Sequence, residues 1–141
     1  MKNTVAVLIV SGFLASLAVS VAAQATRSVN EGVYTADQAK KGEALYKEQC
    51  AACHGDNLEG SGPMPPLAGK DFLANWSGKT LGDLYEKTQT TMPATAPGTL
   101  SPEQAADVVA YLLSKDNYPT GAAALEGKAE PLLKIKIEAP K

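Results

Sequence analysis

Cys50-Ala51-Ala52-Cys53-His54 is the stretch around which the rest of this 141-residue chain has to be read. It holds both cysteines and the single histidine of the sequence. A bridge across so short a loop would exclude little unfolded-chain entropy and could not staple distant elements, so a structural disulfide does not explain the pair. A dithiol oxidoreductase needs alternating strand and helix patterns around its cysteines, and none are present. A zinc site needs more Cys or His than this sequence owns. The remaining reading is chemical. Two thiols three positions apart near a helix end can reach the two vinyl groups on one edge of a porphyrin, and His54, next in line, is placed to bind iron from one face. This is the C-x-x-C-H pattern of covalent haem c attachment.

The composition agrees. Residues 1–25 carry Lys2, an apolar run from Val5 to Val19 broken only by Ser11, Gly12 and Ser16, and then Ala23-Gln24-Ala25. That is the layout of a signal peptide with a small-residue cleavage site, and it predicts export to the periplasm. An uncleaved membrane anchor is the alternative, because with Ser20 to Ala23 the run approaches the roughly 20 residues of a span. From Thr26 onward only 19 of 116 residues are Leu, Ile, Val or Phe, whereas 17 are Ala. A fraction below about 20% is half of the disorder signature, but the large net charge that completes it is missing. Something other than an amino acid is therefore expected to fill the core. The formal net charge of −2, without charge runs, excludes a nucleic-acid binder on bulk electrostatics.

Helices follow from caps and spacing. Thr35-Ala36-Asp37-Gln38 reads as a capping box opening a helix through Ala39, Gly42, Leu45 and Tyr46 towards Cys50. A second helix opens near Thr80, with Asp83 at its third position, carries Leu81, Leu84, Tyr85 and Thr88, and is stopped by Pro93. A third opens at Ser101 with Pro102 first and Gln104 completing another box, and Ala105, Val108, Val109, Tyr111 and Leu112 form its apolar face. Residues 120–131 read as linker. Leu133-Lys134-Ile135-Lys136-Ile137 alternates like a half-buried strand, but a lone strand in an all-helical fold has no partner, so an extended tail laid over the surface is expected.

Over roughly residues 35–118, the haem motif, the proline-rich segment after it, the later Met-Pro and the last helix resemble the class I cytochromes c, in particular small bacterial monohaem members. The resemblance implies an all-α fold of three to five helices wrapped round one covalent haem c, with 26–34 as an N-terminal extension and 119–141 as a C-terminal tail. It implies His and Met as axial ligands. Met64 lies ten residues beyond His54 in a stretch hemmed by prolines, whereas Met92 lies 38 residues on, with enough chain to travel round the ring edge. Met92-Pro93 matches the family's Met-Pro signature, so His54 and Met92 are the expected iron ligands. The family's P-x-L-x-G segment falls on Pro65, Leu67 and Gly69, with Pro66 leaving the register open by one; its proline carbonyl would hold the histidine ring. Trp76 either donates to a haem propionate, as the resemblance implies, or is a core aromatic. First and last helices would cross at Gly42, Tyr46, Val108 and Tyr111.

The function so implied is one-electron transfer by a periplasmic carrier or small electron-transfer subunit, not an enzyme. Lysines at 40, 41, 47, 70, 79 and 87 suggest weak, transient docking around an exposed haem edge. By analogy with acidic bacterial relatives, a quinoprotein dehydrogenase upstream and a terminal oxidase downstream are the expected redox partners. A haem enzyme or gas-binding sensor with an open sixth position is the competing function, and Met92 speaks against it.

Overall fold

In chain order, a computed structural model covering residues 26–141 contains β1 (Arg27–Ser28), a 3-10 turn (Val29–Glu31), α1 (Ala36–Gln49), α2 (Ala51–His54), α3 (Gly69–Trp76), α4 (Leu81–Thr91), α5 (Pro102–Lys115), α6 (Ala129–Leu132) and β2 (Ile135–Lys136). The export segment read in residues 1–25 lies outside the described residues. Among the described residues four helices reach eight residues or more and two are single turns, six where three to five were expected, in an all-α architecture with one two-stranded ladder added. Among the described residues no helix is long and apolar enough to cross a membrane.

Local chemistry accounts for most of the helix starts. The Thr80 hydroxyl accepts from the Asp83 N–H at 3.1 Å while the Asp83 carboxylate accepts from the Thr80 N–H at 2.8 Å. Ser101 and Gln104 form the same reciprocal pair at the head of α5. At α1 only half of the expected box forms. The Thr35 hydroxyl accepts from the Gln38 N–H, but the Gln38 amide turns away to bond the backbone of Leu125. The reason is burial. Leu125 is packed inside, and its two backbone groups have to be satisfied there.

Helices α1 and α5 cross closely, as the expected crossing residues require. A Cβ on Gly42 would collide with the Asp107 carbonyl and with Tyr111 Cβ. The Tyr46 and Tyr111 rings then stack tilted, with centroids 5.3 Å apart. Gly82 plays the same part for α4, where a Cβ would strike Leu133 beside α6.

The C-terminal segment departs from the expected surface tail. β2 pairs in parallel with β1, in the register Arg27 to Ile135 and Ser28 to Lys136, so the strand has a partner after all. Leu125, Leu132, Ile135 and Ile137 are buried in the common core with Val29 and Val33 from the N-terminal segment. The Gly121 N–H donates to the Tyr34 carbonyl and the Tyr34 hydroxyl to that of Tyr118. Ile137 also exchanges two backbone hydrogen bonds with the α3–α4 loop, donating to Lys79 and accepting from Gly78. Flanks that are too short to fold separately bury their few large aliphatic side chains against each other and against α4.

Candidate functional site

At Cys50 the chain leaves α1 and turns at once into α2. Cys50 caps both helices, its carbonyl accepting from the N–H groups of Cys53 and His54. That single turn sets Cys50, Cys53 and His54 along one wall of a cavity of about 360 Å³. Other hydrogen bonds hold the turn. The Tyr46 hydroxyl donates to the Gly55 carbonyl at 2.6 Å, and the Gly60 N–H to the His54 carbonyl at 2.8 Å.

His54 is 7% exposed, and its Nδ1 lies 2.9 Å from the Pro65 carbonyl oxygen. A carbonyl can only accept, so Nδ1 carries a proton, and in the neutral ring the lone pair then lies on Nε2. The carbonyl in contact is that of Pro65, not of Pro66. The loop behind it is tied down twice more, by the Leu67 N–H on the Leu58 carbonyl at 2.8 Å and by the Gly69 N–H on Asp116 Oδ1 at 2.6 Å.

The other walls come from α4 and α5. Met92 ends α4 as its C-cap and lines the cavity with Leu84 and Thr88, while Leu100, Val108 and Leu112 complete a largely apolar surface. Trp76 also lines the cavity, with the Lys79 ammonium 4.8 Å from its ring centroid. It is half-buried, with its ring centroid 6.2 Å from that of Phe72. Every residue read from the sequence as a site residue, namely Cys50, Cys53, His54, Pro65, Leu67, Trp76 and Met92, lines this cavity.

Three further residues singled out in the sequence, though not as site residues, also line the cavity. Met64, 36% exposed, also lines the cavity, beside Pro65 on the His54 side. Lys79 and Lys87 bring positive charge to the lining. In the sequence they belong to the set of lysines expected around an exposed haem edge.

The thiols are not joined to each other. Burial, then the proximity of Cys53, pushes the Cys50 thiol up to about 11, so it stays protonated at neutral pH. A disulfide-exchanging pair depends on a lowered thiol pKa, so this environment does not suit that chemistry. Among the described residues no three His, Cys, Asp or Glu side chains gather into a metal cluster. What the cavity does offer is one imidazole, two thioethers and two thiols on apolar walls, a donor set that could hold an iron porphyrin and suits hydrated cations poorly.

A family model described as cytochrome C oxidase, cbb3-type, subunit III matches residues 37–112. Thiosulfate dehydrogenase of Stutzerimonas stutzeri (strain A1501) is 35% identical over 97 residues, covering 64% of this chain but only 31% of that protein. Cytochrome c of Cannabis sativa is 32% identical over 95 residues, covering 52% of this chain and 86% of that protein. The crystal structure of the sulfane dehydrogenase SoxCD from Paracoccus pantotrophus matches with a TM-score of 0.52 at 23% identity, over 91% of this chain and 68% of that one, a likeness of fold alone. With the motif, the helical fold and the cavity in place, the chain belongs to the cytochrome c family, as a class I member, and its domain is of the haem-bearing, electron-transferring kind.

Proposed function

We propose that this protein is an exported, periplasmic one-electron carrier holding one haem c. Cys50 and Cys53 would form the two thioether bonds, and His54 and Met92 would be the axial ligands. When bound, such a group supplies a one-electron iron couple whose potential a neutral thioether raises relative to an anionic or imidazole ligand. The observation that carries the reading is the His54 ring, its Nδ1 donating to the Pro65 carbonyl, in the lining of the same cavity as both thiols.

The chain's own groups have distinct duties in this reading. Pro65 fixes the imidazole tautomer and raises its basicity. Met92 is favoured over Met64 because it comes from α4, a different element, whereas Met64 sits one residue from Pro65 on the histidine's own loop. Leu67, Leu84, Val108 and Leu112 keep water from the iron couple. Trp76 would donate its indole N–H to a propionate, and Lys79 beside it would offset that carboxylate's charge. The redox partners proposed are a quinoprotein dehydrogenase as donor and a terminal oxidase as acceptor. The first relative is itself named a dehydrogenase, and the family model is that of an oxidase subunit.

An absorption spectrum and an intact mass of protein made with periplasmic haem-attachment machinery test the proposal. A sharp reduced α band with a weak thioether band, and a mass increased by one haem, are expected. A bare-polypeptide mass would refute covalent attachment, and a high-spin spectrum would favour an open-site sensor or enzyme instead.

A further inference from the structure

Asp116, the C-cap of α5, is 6% exposed. Its Oδ1 accepts the Gly69 N–H at 2.6 Å, and among the described residues its Oδ2 is the one buried side-chain oxygen or nitrogen without a hydrogen-bond partner. Leaving a carboxylate oxygen buried and unpaired is costly unless the group carries a proton. The position is also informative. Leu112, one turn back along α5 and about 6 Å away along the helix axis, lines the cavity. Gly69 ends the loop whose Pro65 carbonyl orients His54. Asp116 therefore touches the site from outside, at two removes, without contacting either proposed iron ligand.

The charges around it leave it uncompensated. Lys70 and Asp71, on the first turn of α3, are exposed, and the neighbouring Lys115 extends over the Tyr111 ring at 5.9 Å. Tyr118, two residues on, donates its hydroxyl to the Glu138 carbonyl. Burial first, then the charges of Asp116 and Glu138, push Tyr118 up to about 12, so it stays a neutral phenol at working pH. Burial pushes the Asp116 carboxyl up, and the Gly69 N–H draws it only partly back. The strongest positive influence on Asp116 is thus a backbone dipole.

We propose that Asp116 is a proton-coupled positioning residue, pinning the loop that orients His54 and binding a proton from solvent more tightly when the site gains an electron. This rests on the haem reading above. The balance is one electron, delivered by the one-electron redox partner, and, at a three- to tenfold change in affinity, a fraction of a proton on average taken from solvent by the Asp116 carboxylate; both leave on reoxidation. The electron cancels one positive charge in the cavity, so the buried carboxylate loses part of its electrostatic stabilisation and its proton affinity rises. Once protonated, Asp116 still presents a carbonyl-type oxygen to Gly69, so the loop stays pinned in both states.

The test uses the haem-loaded protein. Midpoint potentials are measured from about pH 4 to about pH 8 for wild type, Asp116→Asn and Asp116→Leu, with the Asp116 carboxyl carbon titrated by NMR in both oxidation states. The reduced form is expected to bind the proton three- to tenfold more tightly, seen as a fall of about 28 to 59 mV in potential as pH rises through the titration. Asp116→Asn should keep the axial-ligand spectrum, because an amide oxygen can still accept from Gly69, yet lose the pH-dependence. Asp116→Leu should in addition shift the His54 ring resonances. A pH-dependence that survives in the Asn variant, or an Asp116 pKa identical in the two oxidation states, would overturn the proposal while leaving the haem reading intact. A protein with no Soret band would overturn both.

Discussion

The Gln38 side chain and the Leu125 backbone exchange two hydrogen bonds, Nε2 donating to the Leu125 carbonyl at 3.0 Å and the Leu125 N–H donating to Oε1 at 2.8 Å. They are 87 residues apart in sequence, and this pair stitches the C-terminal segment to the first helix. Gln38→Ala leaves two buried backbone groups unpaired, at about 1–3 kcal/mol each, so a loss of roughly 2–6 kcal/mol is expected. Urea unfolding of the haem-loaded protein measures it. A loss below about 0.5 kcal/mol, the level of an ordinary surface change, would show that the pair carries no weight.

Gly42→Ala sets two effects against each other. Helix propensity gains about 1 kcal/mol. The new methyl group, however, meets the Asp107 carbonyl, which belongs to a helix backbone and cannot swing aside. Overpacking of that kind costs about 1–3 kcal/mol and more where backbone must move. A net loss of about 2 kcal/mol, with α1 and α5 prised apart, is therefore expected in thermal unfolding. A stabilised Gly42→Ala would contradict the close crossing.

Both methionines reach the cavity, so spectroscopy has to separate them. Met92→Ala should abolish the thioether band, give a high-spin or water-ligated spectrum and lower the midpoint potential, within the span of about 0.8 V that axial ligands command. Met64→Ala should leave the band in place. The reverse pattern would exchange the two assignments and remove the present role of the Pro65 loop.

Asp83 gives a pH-dependence of definite sign. The Thr80 hydroxyl, then the Thr80 N–H, lower its carboxyl below the ordinary value. A carboxylate with a lowered folded pKa contributes stability above its unfolded pKa, and the contribution is lost as pH falls through the lower folded value. Thr80→Ala should cost about 1 kcal/mol at neutral pH, the usual value of an N-cap, and less in acid. An unfolding series from neutral to acidic pH reads this directly, and a constant difference would show that the carboxylate is not part of the cap. Asp116, whose pKa is raised, contributes with the opposite sign. Its stabilising proton is lost as pH climbs from the ordinary carboxylate value through the raised one.

Chemistry that lives within a few residues was legible in the sequence. Cys50, Cys53 and His54 are adjacent, and the caps at Thr80 and Ser101 close through side chains three positions away, so type and spacing alone specify them. The Gly42 crossing and the cavity faces of α4 and α5 could be read because helical periodicity gathers them onto one side. What only the tertiary structure decided are contacts between distant residues. Helix α3 has no local cap, since Ala68 contributes no side-chain bond and the N–H of Gly69 is satisfied by Asp116, 47 residues on. The tail reads as a lone strand until β1 supplies its ladder, and Gln38 reads as half of a capping box until Leu125 competes for its amide. Each of these polar groups has to find a partner once it is buried. Which partner that is depends on where the folded chain brings its far ends together, and one-dimensional spacing does not record it.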